Sequence, residues 1–207
     1  MFGVRYGSSK SFAVRDGHVR ALRLRELRNL PESIGSFKYL EHLDLCDNNL
    51  NEIPKSIGSL TSLKSLWLSN NNIRNIPKSI GSLKTLVSLK LNNNKILKIP
   101  RSIKKLTNLK YLDLKNNKLR EIPDEIESLK FLEQLDIRYN RIENIPESIA
   151  SLCSLEELWL SHNKIQRISE KLKELKKLKY LDLGNNNIRD PKSIEDLKKK
   201  KNLRIFY

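Results

Sequence analysis

Three side chains able to do covalent or metal chemistry alternate along one short segment: His42, Asp44 and Cys46, with Asp47 next. A thiol, an imidazole and a carboxylate are the components of a thiol nucleophile site, and equally of a metal site. Alternation puts all three on one face of a strand, but same-face neighbours there are about 7 Å apart. That is too far for the direct hydrogen bonds that would activate a thiol. No oxyanion donor, pocket signature or glycine-rich loop accompanies them. His18 and His162 bring no plausible partners, and no phosphate loop or metal-ligand spacing occurs elsewhere. The chain therefore reads as non-enzymatic, with no cofactor and no metal, and the triplet as the acidic end of a binding surface with an incidental free thiol.

What positions that triplet is a period of 23 residues. Seven segments follow LxxLxLxxN, with first leucines at Leu40, Leu63, Leu86, Leu109, Leu132, Leu155 and Leu178. Their polar member is always asparagine: Asn48, Asn71, Asn94, Asn117, Asn140, Asn163 and Asn186. Between units runs a second phrase, such as IPKSIGSL or IPESIASL. A fixed period in the twenties means a solenoid in which each unit packs on its neighbours.

Within one unit, Leu66 and Leu68 alternate with Ser65, Trp67 and Ser69, the two-residue period of a strand with its leucines inward. One short strand cannot bury an apolar face alone, so successive strands pair in parallel, about 4.8 Å apart. The asparagine follows the strand, where the backbone loses its ladder partners, and its amide supplies both donors and an acceptor. Pro54, Pro77, Pro100, Pro123 and Pro146 then start a helical turn without needing a donor. Ile57 and Leu60, three apart, share the inward face of that turn. Helical turns are wider than strands, so the stack bends into a right-handed α/β horseshoe. A parallel sheet lines the concave face, and short helices or 3-10 turns form the convex one.

Both ends depart from the pattern. Arg15-Asp16-Gly17 between alternating segments predicts a hairpin over 10–24 that covers the open sheet edge. The first turn is two residues short and lacks the asparagine. At the other end Ser169 replaces the proline, and Asp190-Pro191 predicts the N-cap and first position of a helix to about Lys201. Leu203 to Ile205 would form a last edge strand. The expected organisation is one domain over 1–207: cap and short first repeat over 1–39, seven strand units over 40–189, and a C-terminal cap over 190–207. No opening stretch is apolar enough for a signal peptide or membrane anchor. Cys46 and Cys153 lie on opposite sides of the repeat and cannot pair, which points to a reducing compartment, the cytoplasm.

The net charge of +16 raises the question of nucleic acid. Residues 1–28 hold seven Lys/Arg against two acids and residues 164–207 fourteen against six, so the excess is expected in the end caps, chiefly Lys171, Lys173, Lys176, Lys177 and Lys198 to Lys201. On the strand face the signs alternate, with no continuous cationic track for a phosphate backbone. Nucleic acid is not expected there, no membrane span is present, and the chain is expected to be a monomer.

The outward strand positions form the candidate partner-binding face: Trp67, Lys90, Tyr111, Asp113, Asp136, Arg138, Tyr139, Glu157, Trp159, Tyr180 and Asp182. Exposed Trp and Tyr ringed by charge have the composition of a binding hot spot. The bland alternative is that the aromatics tile the strand surface, stacking on neighbours such as Lys90 or Arg138. Two other functions compete: polyanion or nucleic-acid binding through the basic caps, and a structural piece that self-assembles through its end strands.

The pairing of LxxLxLxxNxI with IPxSIGxL resembles the 23-residue intracellular class of leucine-rich repeats, over about residues 19–205. That class includes Ras-pathway scaffold proteins, plant Ras-group repeats and the repeat segments of Roco GTPases. The opening FAVRDGHVRALRLR is similar to that of microbial members. The resemblance implies a signalling scaffold that recognises proteins on its concave face, often small GTPases or their regulators. No GTPase motif is present, so a Roco origin would make this array an excised part. The assigned register has a direct test. Leu112→Ala should destabilise the fold by roughly 2–5 kcal/mol in denaturant melts, and a silent substitution would undo the inward placement of that leucine.

Overall fold

The computed structural model describes residues 10–189, 191–200 and 202–207. Ten strands form one sheet in chain order. The hairpin expected over 10–24 is present as β1 (Lys10–Arg15) and β2 (His18–Leu24), paired antiparallel around Gly17 at φ 73°. β3 to β9 are three-residue strands from His42–Asp44 to Tyr180–Asp182, each parallel to the one before. Leu22, Leu43, Leu66, Leu89, Leu112, Leu135, Leu158 and Leu181 stand in one row without slippage. β10 is Arg204–Phe206, one residue later than expected, and lies parallel to β9.

The return path consists of seven five-residue 3-10 turns, from Glu32–Ser36 to Glu170–Glu174. The prolines of IPxSIGxL do not occupy the first helical position. Pro54, Pro77, Pro100, Pro123 and Pro146 stand one residue earlier, at φ −63° to −71° but ψ 146° to 152°, and each carbonyl accepts the N–H three residues on. The ring therefore fixes the extended approach to the turn. Where Ser169 replaces proline, its hydroxyl accepts the Lys171 N–H at 3.2 Å. The terminal helix α1 (Pro191–Lys198) stops short of the expected Lys201. The N-cap expected at Asp190 lies outside the described residues.

A 3-10 turn is narrower than an α-helix, and glycine lets the convex turns approach further. A Cβ on Gly58 would meet the Ser79 carbonyl oxygen at 2.6 Å, and one on Gly81 the Ser102 carbonyl at 2.7 Å. Beneath the sheet the core is a single column built from leucine and isoleucine alone, and no aromatic side chain among the described residues belongs to it.

Between strand and convex turn each asparagine closes its unit. Asn117 is buried; its Nδ2 donates to the carbonyls of Leu91 (2.9 Å) in the preceding turn and of Leu114 (3.1 Å) and Lys115 (3.3 Å) in its own. Its Oδ1 accepts the N–H of Ile96 at 2.9 Å. The same set recurs at Asn71, Asn94, Asn140 and Asn163. The first turn shows where its two residues are missing. Leu27 donates to Asn48 as Leu50 does to Asn71, yet Leu27 directly follows Glu26, the left-handed counterpart of Asp47. The deletion removes the asparagine and its successor. Asn117→Ala should cost about 1–3 kcal/mol in a denaturant melt, by leaving those buried backbone groups unpaired. Asn116→Asp, which keeps a side chain that tolerates the left-handed φ of 53° and loses only the bond from the Asn116 amide to exposed Asn93, should cost clearly less.

Candidate functional site

Because the register never slips, the outward residues of the sheet form straight columns. The middle one runs Arg23, Asp44, Trp67, Lys90, Asp113, Asp136, Trp159, Asp182 and Phe206. Beside it run Ala21, His42, Ser65, Ser88, Tyr111, Gln134, Glu157, Tyr180 and Arg204. The anticipated site residues therefore do share one face, with Tyr139 on its lip, but they fall into two groups. Trp67 and Lys90 make one; Arg138, Trp159 and Tyr180 make the other; Asp113 and Asp136 lie between them.

The tryptophans are half-buried rather than exposed, and neighbours cover their ring faces as the bland alternative anticipated. Lys90 Nζ lies 5.0 Å from the Trp67 ring, and the Arg138 guanidinium 5.0 Å from that of Trp159. Trp159 stacks on Tyr180 at 6.4 Å, and Arg204 lies 5.7 Å from Tyr180 on the terminal strand. Trp159 is thus flanked by Arg138 and Tyr180, whereas Trp67 is covered by Lys90 and also borders a cavity lined by Phe12, Arg23, His42 and Asp44. Arg204 and Phe206 were missed because the last strand was expected one residue earlier; its apolar Ile205 between two exposed positions was the available signal.

The aspartates do structural work. In Asp44, Asp113, Asp136 and Asp182 one carboxylate oxygen accepts the N–H two residues on, at 3.0–3.1 Å. Asp136 also holds the Arg138 guanidinium, which that hydrogen bond raises above its ordinary pKa. Asp113 has no such partner: burial, and then the neighbouring Asp136 carboxylate, hold its pKa above the usual range. On the other flank Glu133 accepts from Lys110 (2.8 Å) and Tyr111 (3.0 Å), while Glu157 accepts from Gln134 (2.8 Å) and the Trp159 indole (3.1 Å).

At the head of the face the His42, Asp44, Cys46 triplet is arranged against chemistry. Asp44 is clamped by Arg23 (2.7 Å) and Arg25 (3.0 Å). Although burial opposes it, the Arg25 bond and its companions keep the Asp44 carboxyl below its ordinary pKa. Burial, and then that same carboxylate, push the Cys46 thiol up, away from the thiolate a nucleophile needs. No group of three His, Cys, Asp or Glu able to hold a metal occurs among the described residues.

The residue before each asparagine is left-handed: Asp47, Asn70, Asn93, Asn116, Tyr139, His162 and Asn185 have φ of 53° to 57°. Asparagine and aspartate tolerate this region, a bulky tyrosine poorly. The amides bond in a row, Asn93 to Asn70 at 2.6 Å and Asn116 to Asn93 at 2.9 Å. Tyr139 and His162 interrupt that row and stack on each other at 4.1 Å. His162 thus has partners the sequence did not reveal, including the Asn185 amide at 3.1 Å; likewise His18 stacks on Tyr39 at 3.8 Å.

A family model described as a leucine-rich repeat region matches residues 16–91 and 100–207, and a leucine-rich repeat model matches 85–106. Similar solved structures include a leucine-rich repeat protein of Leptospira interrogans, 34% identical at TM-score 0.66, over 88% of this chain and 53% of that one. An internalin from Listeria monocytogenes is 26% identical at TM-score 0.75, over 86% of this chain and 50% of that one. The Arabidopsis receptor kinase HAESA, in complex with the peptide hormone IDA and the co-receptor SERK1, is 31% identical at TM-score 0.70, over 80% and 30%. The chain thus spans about half or less of each. No curated protein matches the sequence significantly.

Asp113 has a pH signature. Its raised pKa means that ionisation opposes folding, so its contribution is fully favourable below the unfolded carboxyl value and is lost as pH rises through the folded one. Asp113→Asn keeps an oxygen for the Lys115 N–H and removes the buried charge. Melting curves should show the variant more stable at neutral pH, with the difference closing in acid; equal stabilities at pH 7 would refute the assignment.

Proposed function

This chain belongs to the leucine-rich repeat family, and we propose that it is a non-catalytic module that docks a protein partner on its concave face. One observation carries the reading. The core uses only leucine and isoleucine, so Trp67, Tyr111, Tyr139, Trp159 and Tyr180 contribute nothing to it and stand instead where a partner would meet them. Tyr139 even occupies a left-handed position that favours asparagine, a strain of the kind that persists at functional sites. The aromatic rings would supply the affinity, and the charges of Lys90, Asp113, Asp136, Arg138, Glu157 and Asp182 the orientation. The stacked cations hold the rings in place before binding, which lowers the ordering cost of association.

The HAESA complex, solved with a peptide hormone and a co-receptor, supports protein ligands for this architecture. A small GTPase or its regulator as the partner, and a scaffold role in signalling, rest on the repeat motif alone. Two free thiols, Cys46 and Cys153, favour a reducing compartment such as the cytoplasm, and we take the working unit to be one chain. The polyanion reading through the basic ends gains little, because several of those lysines are engaged. Lys171, Lys179 and Lys198 pair with Glu147, Glu156 and Glu195, and Lys200 donates to the carbonyls of Lys173 and Leu175.

The test is retention of proteins from a nuclease-treated lysate at about 0.15 M salt, comparing the wild type with a Trp67→Ala/Trp159→Ala double variant. Partners held by the first and lost by the second are expected. In a titration with such a partner, Trp159→Ala should weaken binding by about 2 kcal/mol or more while the protein stays folded, with a melting temperature lowered by the lost Arg138, Tyr180 and Glu157 contacts. Retention indifferent to both tryptophans would remove the concave-face reading.

A further inference from the structure

The position after each core asparagine reads Asn49, Asn72, Lys95, Lys118, Arg141, Lys164 and Asn187. Four consecutive turns therefore carry a cation at the same place, with asparagine before and after. These residues sit on the rim between the strands and the convex turns, and all four are exposed. Their spacing is fixed by backbone hydrogen bonds from turn to turn: Lys95 to Ile73 and Lys118 to Ile96 at 2.9 Å, Arg141 to Leu119 and Lys164 to Ile142 at 2.8 Å. The same four rim segments add Lys98, Arg120 and Arg167 against two acids, Glu121 and Glu143. None of the seven cations forms an ion pair among the described residues, whereas on the concave side Lys64, Lys110, Arg138 and Lys179 are paired and Lys90 and Lys115 lie against aromatic rings. The rim thus carries cations free of ion pairs at one repeated place over four consecutive turns. The asparagines at the two ends show that the fold does not require them.

The geometry points to a second docking site on this rim, for a partner α-helix carrying one acidic residue per turn on a single face. Spacing selects the ligand. Successive turns of the solenoid are about 4.8 Å apart, so four cations span about 14 Å. One face of a helix repeats every 5.4 Å or so, giving about 16 Å over the same steps, within reach of long side chains. Alternate residues of an extended peptide are about 6.7 Å apart and drift to about 20 Å, out of register. Single-stranded nucleic acid would want aromatic faces to stack on. The nearest rings, Tyr139 and His162, cover each other, with Lys115 5.5 Å from the Tyr139 ring. Leu97, 52% exposed between Lys95 and Lys98, offers the helix an apolar contact beside its charges. The site extends the protein-binding reading to another surface and does not depend on the concave face.

The probes are a synthetic helical peptide with glutamates at i, i+4, i+7 and i+11, a shuffled peptide of the same composition, and a single-stranded oligonucleotide. The protein is compared with a Lys95→Asn/Lys118→Asn/Arg141→Asn/Lys164→Asn variant, which substitutes the residue the array itself uses there. The patterned peptide should bind the wild type at least about tenfold more tightly than the shuffled one, and weaken with added salt. The variant should lose about tenfold or more with an unchanged melting curve; should it fail to fold, the Lys118→Asn/Arg141→Asn pair reads the same loss. The Trp67→Ala/Trp159→Ala protein should bind the peptide as wild type does, which separates this site from the concave one. Equal binding by the asparagine variant overturns the proposal. So does a shuffled peptide or oligonucleotide that binds as well as the patterned one, since the rim would then be an unselective cationic surface.

Discussion

Every turn of this solenoid must find partners for the backbone groups that a three-residue strand leaves behind when the chain bends away. One buried asparagine per turn meets that demand from both sides, donating to carbonyls of its own and the preceding turn and accepting an N–H from that preceding turn. Leaving such groups unpaired in the interior costs more than forming the bonds gains, so the amide column constrains the turn length and, with it, the strand register. The first turn shows the converse. Where the asparagine is absent the turn is shorter, and an antiparallel hairpin rather than another repeat covers the sheet edge.

With the backbone satisfied in that way, stability resides in one uniform column of leucine and isoleucine. Each inward position meets the same neighbours in every turn, so branched aliphatics of one size suffice, and outward positions are free to vary. Aromatic residues and opposed charges have collected there. They organise one another before any ligand arrives: guanidinium and ammonium groups lie beside ring faces, and carboxylates cap the N–H two residues along. The outward side chains are thus held by one another as well as by the backbone.

Charge shows why position in three dimensions outranks position in the chain. By sequence the basic excess lies in the end segments, yet most of those lysines find a carboxylate or a carbonyl. The middle of the chain is nearly balanced in sum, but most of its acids stand on the concave and convex sides, and the rim segments hold seven cations against Glu121 and Glu143 alone. A count over a segment averages across faces that the fold separates by the thickness of the solenoid.

The 23-residue period by itself determined the architecture, because inward leucines, turn prolines and asparagines are each the physical requirement of one place in a repeating turn. It also determined which side chains share the concave face, since strand alternation allows no other assignment. Only the tertiary structure decided what those side chains do to one another. That Arg138 covers Trp159 and that Tyr139 stacks on His162 depend on neighbours 21 and 23 residues away, and that Arg138 turns back onto Asp136 two residues before it is a matter of rotamer. The prolines set the approach to the convex turn rather than its first residue for a related reason. Proline fixes φ and leaves ψ to the packing of the turn before it.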